Sequence, residues 1–150
     1  MTAKRSQQIA RSPASGPSQP NGEIIYIGGR NLTIKDVIEV ARNGRRVRLD
    51  SSALKNMETS RRMVEDIVAD NRTVYGVNTG FGDLSTKRIP PEDIYQLQQN
   101  LVRSHAVGVG PPFPDEVVRA IMLLQANKLS LGYSAVSPDL PQILIDCLAA

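Results

Sequence analysis

Tryptophan is absent from these 150 residues, and phenylalanine occurs twice, tyrosine four times, and histidine and cysteine once each. The single cysteine, Cys147, excludes an internal disulfide and suits a reducing, cytoplasmic setting. Its place in a helical apolar pattern predicts a buried filler. No apolar run approaches the length of a membrane span, so no membrane partner is expected. Acids are missing from the start of the chain. Lys4, Arg5 and Arg11 precede the first acid, Glu23, so the whole net charge of +3 sits in that tail and the remainder is balanced. A neutral body so poor in aromatic rings offers neither a basic face nor stacking platforms, which excludes nucleic acid as a partner. No metal site is expected.

What is present divides into a tail and a patterned body long enough for one domain with a core. Residues 1–22 are rich in Ser, Pro, Gln and Gly and carry Ile9 as the only large aliphatic side chain after Met1. Burial cannot offset the ordering entropy of such a segment, and disorder is expected. The tail is basic, but it shows no amphipathic arginine-bearing helix of the transit-peptide kind.

The body, 23–150, is expected to be mainly α with short strands near its start. Ile24–Ile27 reads as a strand ended by Gly28-Gly29, and Val47–Leu49 as a second. Between them Thr33 is a helix N-cap and Gly44 the terminator, with Ile34, Val37, Ile38 and Ala41 on one face. Asp50, Ser51 or Ser52 can cap a longer helix to about Ala69, whose apolar face carries Ala53, Leu54, Met57, Val64, Ile67 and Val68. Thr73–Val77 is β-branched and aromatic and reads as a third short strand.

Pro90-Pro91-Glu92-Asp93 starts another helix, expected to bury Ile94, Leu97, Leu101 and Val102. Glycines and prolines at 108–114 break it. Pro114-Asp115-Glu116 opens a helix with more than one apolar stripe (Val117, Val118, Ile121, Met122, Leu124, Leu129 and, just beyond, Leu131). The last helix begins at Pro138-Asp139 and carries Leu140, Ile143, Leu144, Cys147 and Leu148. It reaches Ala150 without a Gly or Asn stop or a terminal cation, so the chain reads as cut short of something longer.

One stretch stands apart: Tyr75-Gly76-Val77-Asn78-Thr79-Gly80-Phe81-Gly82 places a phenol at the head of a loop holding three glycines. Such glycines allow positive φ or close approach to a ligand. The phenol can be a catalytic acid or base, or a core tyrosine on a short strand. Asn78 and Thr79 shape the loop or simply serve local turn hydrogen bonds. The glycines are not a phosphate cradle, because no Lys-Ser or Lys-Thr follows Gly82. His105 lies four residues after Leu101, on the face expected to be buried, and taken alone reads as a satisfied structural histidine.

Taken in order, the Tyr75–Gly82 run, Leu101-Val102-Arg103-Ser104-His105-Ala106-Val107-Gly108-Val109-Gly110, Leu123-Leu124-Gln125-Ala126-Asn127 and Leu131-Gly132-Tyr133-Ser134-Ala135 resemble the N-terminal part of the aromatic amino-acid ammonia-lyases and aminomutases. The resemblance runs from about Leu32 to the last residue and is strongest with the histidine-acting members. It implies the N-terminal domain of the fumarase/aspartase-like helical fold, assembled as a homotetramer, and elimination of ammonia from an aromatic-type amino acid. L-histidine going to urocanate is the leading expectation, and tyrosine or phenylalanine lyases and 2,3-aminomutases are the alternatives. A non-catalytic assembly or binding module is the alternative of another class.

By the same resemblance Tyr75 is the base that removes the β-proton. Gly82 brings backbone against the substrate, Phe81 lines the pocket, and Ser104-His105 contacts the substrate ring. A phenol ionises near pH 10, so base chemistry requires an environment that favours the phenolate, for which Gly76 and nearby amides are candidate donors. A histidine at position 105 suits an imidazole or phenol partner, whereas members preferring phenylalanine place apolar residues there. Two departures leave the substrate side chain open: Gln125 stands where most histidine-acting members have arginine, and Ala135 where many have glycine. Asn127 and Ser134 are assigned to packing or helix ends.

The family's electrophile, 4-methylidene-imidazol-5-one, forms from an Ala-Ser-Gly tripeptide. The one match here, Ala14-Ser15-Gly16, lies between Pro13 and Pro17 in the tail. Cyclisation requires a backbone held bent by a rigid fold, which such a segment cannot supply, so the match is read as chance. These residues alone are therefore expected to be inactive, with the group supplied by a longer parent.

Overall fold

The computed structural model describes residues 23–70 and 72–150. The expectations about residues 1–22, including disorder and the Ala14-Ser15-Gly16 match, lie outside the described residues. Within them the fold is mainly helical, with two short strands ahead of most of the helices.

The strands β1 (Ile25–Ile27) and β2 (Val47–Leu49) pair in parallel, with Ile25 opposite Val47 and Ile27 opposite Leu49. A parallel pair needs a crossover, which α1 (Ile34–Asn43) provides. That helix begins with a reciprocal cap: the Asp36 amide donates to Thr33 Oγ1 at 3.2 Å, and the Thr33 amide donates to the Asp36 carboxylate at 3.1 Å. The Thr33 hydroxyl and then its backbone amide hold the Asp36 carboxyl below the usual carboxylate range. Gly44, at φ 66°, ends the helix in the left-handed conformation.

Asp50 caps α2 (Ser51–Ala69), accepting from the Ser52 amide at 2.8 Å. Pro90 and Pro114 immediately precede α3 (Pro91–His105) and α4 (Asp115–Leu129), and α5 (Asp139–Ala149) follows Pro138.

The core lies where α4 packs between α1 and α5, with β2 against α5. Ile27, Val40, Leu123 and Ala126 are fully enclosed there, and Ile25, Val47, Ile145 and Leu148 complete the cluster. Gly29 shows how tightly β1 meets the end of α4: it has φ 83°, and a Cβ on it would overlap the Leu131 side chain. Its amide donates to Asn127 Oδ1 at 2.9 Å, which gives Asn127 the structural role expected of it. Arg119 adds a tie that the sequence did not suggest, donating to Leu148 O at 2.8 Å and to Val40 O at 3.4 Å.

The helices start and stop close to where their punctuation predicts, but several buried faces are rotated. In α1 the enclosed residues are Val40 and Ala41, whereas Ile34 and Ile38 are exposed. In α4 the inward stripe is Leu123, Ala126 and Leu129, with Val117, Ile121 and Leu124 outside. In α5 it is Pro141, Ile145 and Leu148, at spacings of four and three. Cys147 falls off that stripe and is exposed, which corrects its reading as buried filler. The expected strand at Thr73–Val77 is instead a turn. The Val74 amide goes to the Asn78 side chain and the Val77 amide to Val74 O, so local turn bonds replace a ladder.

Candidate functional site

The loop after α2 is closed by its own polar groups. Asn78 is 3% exposed; its Nδ2 donates to Arg72 O at 2.7 Å, and its Oδ1 accepts from the Val74 amide at 2.9 Å. Thr79, equally enclosed, accepts the Gly76 amide on Oγ1 at 3.3 Å and donates to Gly80 O at 3.0 Å. The chain then folds back on itself. Thr79 pairs antiparallel with Arg88, Gly80 N donates to Lys87 O, and Ile89 N donates to Asn78 O. Between these rungs sits one short 3-10 turn, Gly82–Leu84, which Gly82 enters at φ 57°. A Cβ on Gly82 would meet nothing within 4 Å, so it is the backbone angle that favours glycine there.

Tyr75 stands on the rim of this loop. It is 63% exposed, and its ring meets Phe81 edge-on, with centroids 6.3 Å apart and planes at 72°. The edge places positive ring hydrogens against a π face, a favoured aromatic geometry. The expectation that the Gly76 amide serves the phenol is corrected by the geometry. That amide is directed to Thr79 Oγ1.

Ser104 and His105 occupy the last turn of α3. Ser104 Oγ donates to Leu101 O at 2.9 Å and lies 3.0 Å from His105 Nδ1. His105 Nδ1 is itself 2.9 Å from Leu101 O. A carbonyl oxygen only accepts, so in this contact the hydrogen is on Nδ1. His105 is exposed, which corrects its placement on a buried face. The reason is visible along the helix: α3 encloses no residue, Ile94, Leu97 and Leu101 are only half-buried, and Val102 is exposed.

The structure thus brings Tyr75 to Phe81 and Ser104 to His105. Among the described residues, no hydrogen bond or aromatic contact joins the two pairs. No group of three potential ligands that could hold a metal occurs among them either, and no helix there is long and apolar enough to cross a membrane. The described residues contain no Ala-Ser-Gly tripeptide.

The family model for aromatic amino acid lyases matches residues 32–150. The chain belongs to the aromatic amino acid lyase family. It is similar to histidine ammonia-lyase of Treponema denticola, with 48% identity over 124 residues, covering 83% of this chain and 24% of that protein. Among solved structures it resembles the ergothioneine-degrading enzyme ergothionase of Treponema denticola (TM-score 0.79, 34% identity, 85% of this chain and 26% of that one). It resembles equally the tyrosine aminomutase of Streptomyces globisporus (TM-score 0.79, 34% identity, 85% and 24%). The chain therefore spans about a quarter of the length of the relatives it matches.

Asn78 and Thr79 are the site residues whose part was left undecided by sequence. Their signal was available: Asn and Thr side chains in turns commonly bind nearby backbone groups.

Proposed function

We propose that these residues supply the base and the side-chain-binding half of an amino-acid ammonia-lyase acting on an aromatic-type substrate, with L-histidine going to urocanate as the leading case. One observation carries the reading: in a member of this family, an exposed Tyr75 phenol rises from a loop whose backbone is tied on both sides. In this role Tyr75 removes the β-proton through its phenolate oxygen, with Phe81 bordering the ring. The Gly82 backbone lines the site where no Cβ intrudes. His105, with Nε2 free to accept, takes the N–H of an imidazole or the O–H of a phenol, and Ser104 steadies the ring by its position beside Nδ1.

The relatives include a histidine ammonia-lyase and a tyrosine aminomutase, and an acceptor nitrogen at 105 serves both side chains. Tyrosine or phenylalanine lyase and 2,3-aminomutase activities are accordingly the second reading. The 4-methylidene-imidazol-5-one group is assigned to a longer, cytoplasmic parent polypeptide, and these residues alone are assigned no turnover. Homotetramer assembly is supported by the exposed apolar surface of α3 and the segment after it, including Val102, Val107, Val109 and Phe113. That same surface is what favours the other class of reading, an assembly or binding module without catalysis.

The test is to incubate the full-length polypeptide with histidine, tyrosine and phenylalanine in turn and follow product absorbance. Formation of urocanate supports the leading case, whereas a β-amino acid or a cinnamate-type product moves the assignment to an alternative. No product from any of the three favours the module.

A further inference from the structure

We infer that Asn78 is the positioning residue for Tyr75, with Thr79 as its counterpart on the other flank; this rests on the reading of Tyr75 as the base. The two amides on either side of Tyr75 are both taken by side chains. Val74 N donates to Asn78 Oδ1 at 2.9 Å, and Gly76 N donates to Thr79 Oγ1 at 3.3 Å. Asn78 does more than accept. Its Nδ2 donates to Arg72 O at 2.7 Å, so one amide group spans the chain from position 72 to 74. Its own backbone carbonyl takes the Ile89 amide at 3.1 Å, which anchors the clamp to the returning segment just before Pro90 and α3.

The chemistry specifies an amide. A carboxylate of the same shape keeps the acceptor but loses the donor and sets negative oxygen against the Arg72 carbonyl. An aliphatic side chain loses both. With Asn78 and Thr79 at 3% and 2% exposure, water has little access to replace a lost partner. The result is a division of labour within eight residues: the backbone at 74 and 76 is tied, while the Tyr75 ring between them meets Phe81 edge-on and stays largely exposed. A base needs its atoms held in place and its oxygen open, and this arrangement provides both.

The first test is residue-resolved amide hydrogen exchange on the 150-residue chain. Asn78→Leu, which removes both donor and acceptor, is expected to speed exchange at Val74 by about tenfold, the size of one buried hydrogen bond left unmade. Exchange at Val40 and Leu123 should not change, which shows that the core has stayed folded. Thr79→Val should speed Gly76 by a similar factor, and Thr79→Ser, which keeps the hydroxyl, should restore it. Unchanged exchange at Val74 in Asn78→Leu overturns the inference.

The second test uses the full-length polypeptide that carries these residues. Asn78→Asp should lower kcat with little change in KM, and it should cause no further loss when added to Tyr75→Phe, since it acts through that phenol. An equal further loss in the Tyr75→Phe background overturns the positioning role. If Tyr75→Phe alone leaves the rate unchanged, the base reading fails by itself, and the exchange measurement still decides whether Asn78 holds the backbone.

Discussion

Around Leu123 and Ile27 the chain is held by apolar side chains brought together from distant positions, with α4 between α1 and α5 and two short strands at the edge. Around Tyr75 it is held by two polar side chains, Asn78 and Thr79, whose partners lie a few residues away. The first region depends on elements far apart in sequence, because removing α1, α4 or α5 uncovers the others. The second is self-contained: its ties run within residues 72–89, and α3 beyond it encloses no side chain. The stabilising core and the proposed site therefore occupy different parts of the molecule, and substitutions should affect one without the other.

The sharpest way to expose this separation is Tyr75→Phe in the full-length polypeptide. Loss of a positioned base should cut kcat by about 10²–10⁴-fold while leaving the unfolding midpoint in place. A rate equal to the parent's would sink the assignment. The converse is Leu123→Ala, in the enclosed centre of α4, which should cost about 2–5 kcal/mol in denaturant unfolding. Val102→Ala on α3, at 68% exposure, should stay within about 0.5 kcal/mol, and equal losses at 102 and 123 would erase the contrast.

Two glycines offer a finer comparison. Gly29→Ala combines a positive φ with overlap on Leu131 and should destabilise by about 2–4 kcal/mol. Gly82→Ala meets open space and should carry only the backbone penalty of about 1 kcal/mol, read by the same unfolding curves.

An effect of similar size depends on pH. The Asp36 carboxyl lies below its ordinary value of 3.8 because Thr33 donates to it. A carboxyl depressed by folding stabilises the protein above its unfolded value, and that contribution disappears as pH falls through the folded value. Thr33→Ala should therefore cost about 1 kcal/mol near neutral pH and progressively less below pH 3.8, followed by chemical unfolding across that range. A constant difference down to the lowest pH would show that Asp36 is not involved.

Sequence reasoning located helix ends better than helix faces. Thr33, Gly44, Asp50 and the prolines before α3 and α4 act on backbone groups within a few residues, so their effect can be read locally. Which stripe of a helix is covered depends on what lies against it. Ile121 and Leu124 are as apolar as Leu123, yet of the three only Leu123 is enclosed in the core, and nothing in the local pattern ranks them. The exposure of Cys147 and Val102 has the same cause. At the site, the Tyr75, Gly82 and Ser104-His105 motifs were legible as residue types, whereas their exposure and the closing of the loop through Asn78 and Thr79 were not.

The sequence by itself determined the family, the helical punctuation and the residue types that could carry the chemistry, because caps, turns and motifs are encoded over short spans. The tertiary structure alone decided that Thr73–Val77 turns instead of pairing, that the Gly76 amide serves Thr79 and not the phenol, and that Tyr75 and His105 stand open to solvent. Those outcomes depend on which donor meets which acceptor and which face meets another helix, and both are settled only when the chain has folded back on itself.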